Sequence, residues 1–454
     1  MLGRLFRARW FRGTALTVFL ILLVVSLVAV SGYFNLRGRG ERHQAAVLAD
    51  LDATDPGWRF EAILAARQAA LPPPEKNVIE QAVRLADRFP EEKFREWQKN
   101  WPPPTDPAPA PGDPPTADEV AYARKLADMC RELLPEARAL RHLSGGVVVP
   151  LELNPLGTRL PHLDKSGRVV ALLQQDATVS AADGKIDDAL DDVLAVVAIA
   201  RGLDDEPYLV SYLFRLRFLA LAVRQVERTL RQGEASDAKL AEVQAAFAGA
   251  AKVKGYVTAL RGERASMSKL ADLLEKDPRN AEGLMPGQPP PPVVTSVATS
   301  ALLPETHARY LELMNRAIAI AEKPPGPDRN AEFARIDADV RADTSLEGEA
   351  LRLVVPAIVK PYDADVRTVA LLEAAVAALA YLRRGEKHPW LPSHFPTDPH
   401  TGKPMLWKPY PDGVAVYSTG PDKTDDGGEN LHDGGTKAGF DWGVRLYDGK
   451  HRTK

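Results

Sequence analysis

Between Arg12 and Arg37 the chain carries no charged side chain, and residues 14–34 are dominated by Leu, Val, Ile, Ala and Phe. Nothing else in the sequence constrains the fold as strongly. Twenty-odd apolar residues with no polar face at the helical period do not suit the surface of a globular protein. As a helix rising 1.5 Å per residue the run spans ~30 Å, the thickness of a bilayer's hydrocarbon core. Trp10 and Phe11 precede it and Tyr33 and Phe34 close it, where aromatic belts form at the two interfaces. Arg4, Arg7, Arg9 and Arg12, with no acid among them, place residues 1–13 in the cytoplasm by the positive-inside rule. The expectation is a single-pass signal-anchor in the cell membrane, residues 14–34, with the bulk of the chain exported. A cleaved signal peptide is the alternative, because Ala29-Val30-Ser31 offers small residues of the kind signal peptidase reads. The run nevertheless exceeds the ~7–15 residues of a usual signal core, which favours the retained anchor.

A chain of 454 residues has room for two to four folded units of ~100–200 residues each. Hydrophobic residues at 45% supply cores for them. Lys and Arg number 58 against 61 Asp and Glu, so no broad basic field exists for nucleic acid. The single cysteine, Cys130, excludes an intrachain disulfide and any zinc site built on several thiolates. In its apolar helical setting it reads as a small buried hydrophobe.

The 38 prolines concentrate in a few stretches and mark the breaks. Residues 35–100 read as first helices or a helical stalk, interrupted at Pro72-Pro73-Pro74. Residues 101–116, WPPPTDPAPAPGDPPT, form an extended linker or surface loop. Residues 117–385 read as an antiparallel α-helical body, with a second proline break at 285–294. Its clearest element is a helical pair from Arg168 to Leu203, turning at Asp183-Gly184. Further helices are expected at 208–231, 236–250, 256–277, 305–322, 330–343 and 364–384. The segment AADGKIDDALDDVLAVVAIAR resembles the turn region of a tetratricopeptide repeat, but no 34-residue period recurs. Asp187, Asp188, Asp191 and Asp192 are expected as a solvated acidic face at a helix start.

After Gly385 the composition shifts to Pro, Gly, Asp, Tyr and Trp, with the alternating run Val414-Ala415-Val416-Tyr417. Residues 386–454 are therefore expected as a small β-rich module, and the fold class as mainly α with that module at its C-terminal end. The order Asp398-Pro399, Gly402, Pro404, Tyr410, Tyr417-Ser418, Gly420, Asp422, Gly427-Gly428 and Asp441 resembles the C-terminal part of the major pseudopilin of type II secretion. In that family the loop binds calcium. The resemblance implies Asp422 and Asp441 as ligands, with the Thr419 carbonyl as a further one. The family's glutamate near the start of its apolar helix is not present at Gly13–Val18. The whole chain also resembles uncharacterised bacterial single-pass proteins in which a helical region precedes such a tail.

Apart from any family, DKTDDGGENLHD at 422–433 places oxygen side chains at positions 1, 3, 5 and 12 with glycine at 6, near the pattern of a calcium loop. Asp425 and Asp426 join Asp422 and Asp441 as candidate ligands. The other reading is a plain polar turn made by Asp-Gly and Gly-Gly. His388, His394, His400, His432 and His451 lie in the module without the spacing of a zinc motif and read as exposed loop residues. No serine-nucleophile elbow, H-E-x-x-H helix or phosphate-cradling loop occurs. The expected function is a membrane-anchored exported interaction or structural protein with an unidentified protein partner. An extracytoplasmic hydrolase is the rival, since paired carboxylates leave no sequence signature. An accessory secretion component is the third reading.

Overall fold

The computed structural model describes residues 27, 30–90, 92, 114–143, 145, 146, 159–277, 293–384, 395–428, 431 and 441–448. Helix α1 runs over 30–54, followed by α2 (Phe60–Ala70) and α3 (Val78–Ala86). The body continues through α4 (Ala117–Met129), α5 (Leu134–Ala139), α6 (Pro161–Ala182), α7 (Ile186–Arg201) and α8 (Leu209–Leu230). It is completed by α9 (Asp237–Ala251), α10 (Gly255–Lys276), α11 (Val293–Ala321), α12 (Pro327–Ala342) and α13 (Leu346–Arg384). Three antiparallel strands come last: β1 (Leu406–Tyr410), β2 (Gly413–Ser418) and β3 (Trp442–Tyr447), in the order β1-β2-β3. The mainly α class with a small β-rich C-terminal part is as the composition indicates.

The expected membrane anchor is corrected. Residues 14–26, 28 and 29 lie outside the described residues, and among those described no helix is long and apolar enough to cross a membrane. From residue 30 onward α1 soon becomes charged and packs sideways on α11. Arg37 Nη1 donates to Ser300 Oγ at 2.9 Å, and the His43 ring lies 3.1 Å from both Glu305 and Glu312. The single-pass localisation, with its cytoplasmic N-terminus and exported bulk, is withdrawn on this finding.

Among the described residues two large apolar cores hold the helices, and a small third cluster of Phe60, Tyr208 and Ala265 seats α2. Val78, Ile79, Val169, Leu173, Leu190, Val193, Leu219, Val223 and Phe247 belong to the first. Leu51, Trp58, Tyr212, Tyr256, Met314, Phe333 and Tyr362 belong to the second. Helices α8 and α13 are long enough to give one end to each, which couples the cores. The segment expected as a stalk supplies residues to both. Most of the proline-rich stretch at 101–116 lies outside the described residues. Its last residue, Thr116, caps α4: its Oγ1 accepts from Glu119 N at 3.2 Å, and Glu119 Oε2 accepts from Thr116 N at 2.7 Å.

The α6–α7 hairpin closes as its sequence indicates. Gly184 takes a φ of +75°, Lys185 N donates to Ser180 O at 2.8 Å and Gly184 N to Ala181 O at 3.0 Å. This paired capping places an αL residue just past the helix end, where glycine carries no Cβ penalty. Two helices run further than the periodicity suggests, because prolines lie inside them: Pro304 in α11 and Pro356 and Pro361 in α13. Near the α13 prolines the Ile358 carbonyl accepts the Tyr256 hydroxyl at 2.8 Å, which ties α13 to α10.

The sheet is not a free-standing module. Val414, Val416, Val444 and Leu446 alternate onto its inner face and join the first core. Ala415 and Tyr417, on the opposite face, are buried in a small cluster of their own with Leu431, Leu406 and Tyr410. The edge strand β3 is covered by α8. Glu227 Oε1 accepts from Arg445 N at 2.8 Å, and Arg224 Nη1 donates to Gly443 O at 3.3 Å. These bonds satisfy an exposed edge that would otherwise template pairing with another chain.

Candidate functional site

The connection from β2 to β3 carries the candidate metal residues, and a buried aspartate outside that set organises its entrance. Asp398 is 1% exposed. Its Oδ1 accepts from His400 N at 2.7 Å and Ser418 Oγ at 2.9 Å, and its Oδ2 from Thr419 N at 3.1 Å and Thr419 Oγ1 at 3.2 Å. This one carboxylate pins the turn before β1 to the end of β2. Thr419, expected as a carbonyl ligand, is thereby held through its amide and hydroxyl.

Beyond it the loop folds back so that three acids share a neighbourhood. Asp441 has no solvent exposure; its Oδ2 accepts from Gly428 N at 2.9 Å, while its Oδ1 has no hydrogen-bond partner among the described residues. Asp426 Oδ2 is likewise out of water and without a partner among them. Asp425 Oδ1 accepts from the Tyr417 hydroxyl at 3.2 Å and from Gly427 N at 2.9 Å. Burial pushes the Asp441 carboxyl above the ordinary aspartate range against the pull of the Gly428 and Asp426 amides, and the charges of Asp425 and Asp426 add to the rise. Gly428, at φ +65°, makes the close approach feasible: a Cβ there would lie 2.5 Å from the Tyr417 ring. Asp422 is not brought into this group. It is exposed, and its Oδ1 accepts from Thr424 N at 3.1 Å. Among the described residues no three His, Cys, Asp or Glu side chains stand in metal-holding geometry.

Of the five histidines in this segment, only His400 lies among the described residues, and it is buried, not exposed. Its ring meets Trp442 edge-on at 4.9 Å, and burial pushes its pKa down. Cys130 is also buried, its thiol pushed up to about 11 by desolvation.

The acidic face expected on α7 is largely engaged. Asp192 is fully buried and meets Arg138 Nε at 2.9 Å, while Asp176 meets Arg138 Nη2 at 2.6 Å. One guanidinium thus serves two carboxylates. Burial pushes the Asp192 carboxyl well up, and the Asp176 charge pushes it further. Asp191 pairs with Lys239 at 2.6 Å and with Arg141. Asp187 Oδ1 accepts from Ser236 N at 2.9 Å. Short-range helix periodicity could not reveal these partners, which come from α5, the turn after it and the start of α9.

Buried acids also line a cavity of about 390 Å³ between α10, α12 and α13, where burial raises the carboxyls of Asp365 and Glu373. Asp365 is committed to the Tyr212 hydroxyl and to Arg329 Nη2, the latter at 3.0 Å. Eight residues apart on one helix, the two acids stand ~12 Å apart along its axis. Paired glycosidase carboxylates stand ~5–9.5 Å apart, so this pair does not provide that arrangement.

Comparison of the chain with known protein families, characterised proteins and solved structures finds no match. The pseudopilin resemblance accordingly rests on the residues of the C-terminal segment alone.

Proposed function

We propose that the chain is a structural or interaction protein: a helical scaffold whose C-terminal loop is ordered by calcium. The observation that carries this reading is the fully buried Asp441, whose Oδ1 has no partner among the described residues, beside Asp426, whose Oδ2 has none among them either. A buried carboxylate oxygen without a donor is costly, and a hard cation is the partner that satisfies several such oxygens together. Asp441 and Asp426 are the ligands of this reading, while Asp425 Oδ1 is already bonded to the Tyr417 hydroxyl and Gly427 N, so water and backbone oxygens would complete the oxygen shell that calcium takes. Asp422, in its exposed turn, is peripheral. The ion's role is to neutralise mutual repulsion and fix the β2–β3 connection as a defined surface.

The test uses the full chain, because the sheet's inner face is part of the helical core. Millimolar Ca²⁺ should raise the melting temperature above that in chelator, and Mg²⁺ should raise it less, because it demands tighter octahedral geometry. Ligand at 100 times its Kd stabilises by ~2.7 kcal/mol. Asp441→Asn should remove the calcium response while the protein still melts cooperatively. Identical melting with calcium and with chelator would overturn the reading.

A further inference from the structure

A second cavity, of about 710 Å³, lies away from the acidic loop, where the α1–α2 turn and α2 face α10 and the end of α7. Its volume is within the ~300–1,000 Å³ of small-molecule sites. The walls divide by chemistry. Ile63, Ala66, Leu71, Trp58 and Pro207 give an apolar side, and the charged lining consists of four arginines and two aspartates, a difference of two positive charges.

Two of these arginines are hydrogen-bonded, and a third stands near an acid. Arg264 is bonded to Asp55 and, at 2.7 Å, to Asn315. Arg261 meets Glu322 at 3.0 Å, and Arg201 stands 3.6 Å from Asp204. Arg67 differs: its Nε and Nη2 are out of water with no acceptor among the described residues. Glu206 and Asp205 act on it only through their charge. Glu206 is itself fully buried and lies 2.8 Å from His162 Nε2. Arg67 is therefore faced by nearby acidic charge while its Nε and Nη2 have no hydrogen-bonded acceptor among the described residues.

We propose that this cavity binds a small amphipathic organic carboxylate, its acid group taken by Arg67 and its apolar body laid along α2. Arg67 keeps two donors, Nε and Nη2, without an acceptor among the described residues, and the planar fork of arginine fits a carboxylate in bidentate fashion. A multiply charged phosphate would need several free cations, whereas Asp55 and Glu322 already hold Arg264 and Arg261 and the Asp205 carboxylate lines the same cavity.

The experiment is a calorimetric titration of the full chain with three probes that share one hydrocarbon tail: octanoate, octanol and octylammonium. Octanoate should bind at one site at least tenfold more tightly than either of the others. Arg67→Gln should reduce octanoate binding at least tenfold, to the level of octanol, and leave octanol unchanged. Ala66→Phe, at a solvent-exposed position of the lining, should abolish binding of both by filling the apolar half; circular dichroism checks that each variant is folded. Should Arg67→Gln fail to fold, the headgroup preference and the Ala66→Phe result decide. No octanoate binding at millimolar concentration, octylammonium binding as well as octanoate, or an octanoate affinity untouched by either substitution would overturn the proposal.

Discussion

Replacing Asp398 with alanine should destabilise the protein severely, and the size of the effect follows from four bonds. The carboxylate accepts from two amides and two hydroxyls in a site with 1% exposure. The Ser418 and Thr419 hydroxyls can rotate towards other acceptors. The His400 and Thr419 amides are fixed by the backbone and become orphaned buried donors, at ~1–3 kcal/mol each, so the loss is ~2–6 kcal/mol. Asp398→Asn should cost less, ~1–3 kcal/mol, because its remaining oxygen can serve His400 and Ser418 while its NH₂ confronts Thr419 N–H. Urea unfolding of the full chain, followed by tryptophan fluorescence, measures both, since Trp407 lies on β1 and Trp442 on β3. If Asp398→Ala unfolded within ~0.5 kcal/mol of the parent, at unchanged denaturant dependence, the carboxylate would not be what ties the turn to β2.

Asp192→Asn should change the pH dependence of stability. The folded Asp192 carboxyl is raised above its unfolded value, so above pH ~4 the unfolded chain has lost a proton that the folded chain retains, and stability falls as pH rises towards the folded pKa. The asparagine leaves Arg138 paired with Asp176 alone and should flatten that decline; equal pH slopes in parent and variant would refute it. Glu227→Ala should uncover the β3 edge by leaving the Arg445 amide without its acceptor, costing ~1–3 kcal/mol and speeding exchange of that amide. Unchanged exchange at Arg445 would show that the edge is protected by something else.

The parts of this fold legible in the sequence are those governed by neighbours along the chain. The Asp183-Gly184 turn, the α6–α7 pair and the alternation of Val414 to Tyr417 depend on a few consecutive residues, and each is found. The Thr116–Glu119 capping box is equally local, and Thr-Ala-Asp-Glu is a readable signal for it. Prolines misled in a definite direction, because a proline's cost in a helix is assessed locally while Tyr256 ties α13 to a distant segment. The charged residues failed for the same reason. Asp192 looks like a solvated acid until Arg138 arrives 54 residues away, and Asp398 looks like a turn former until Ser418 and Thr419 fold onto it. Asp422, first in the linear calcium pattern, lies in an exposed turn, whereas Asp441, thirteen residues beyond Gly428, is the acid that burial selects. Arg67 carries no motif at all; only its missing partners mark it.

The calcium reading is tested most directly by terbium luminescence. Tb³⁺ takes the same oxygen ligands as Ca²⁺ and emits when excited through a nearby aromatic ring. Trp442 follows Asp441 in the chain, and the Tyr417 hydroxyl is bonded to Asp425, so two sensitisers adjoin the proposed ion. The account predicts saturable emission at one equivalent of terbium, displaced by calcium, lost in Asp441→Asn and retained in Asp422→Ala. Because the Asp441 carboxyl is raised and the ion must displace its proton, the emission should weaken as pH falls. No sensitised emission, or emission that survives Asp441→Asn but disappears in Asp422→Ala, would contradict it.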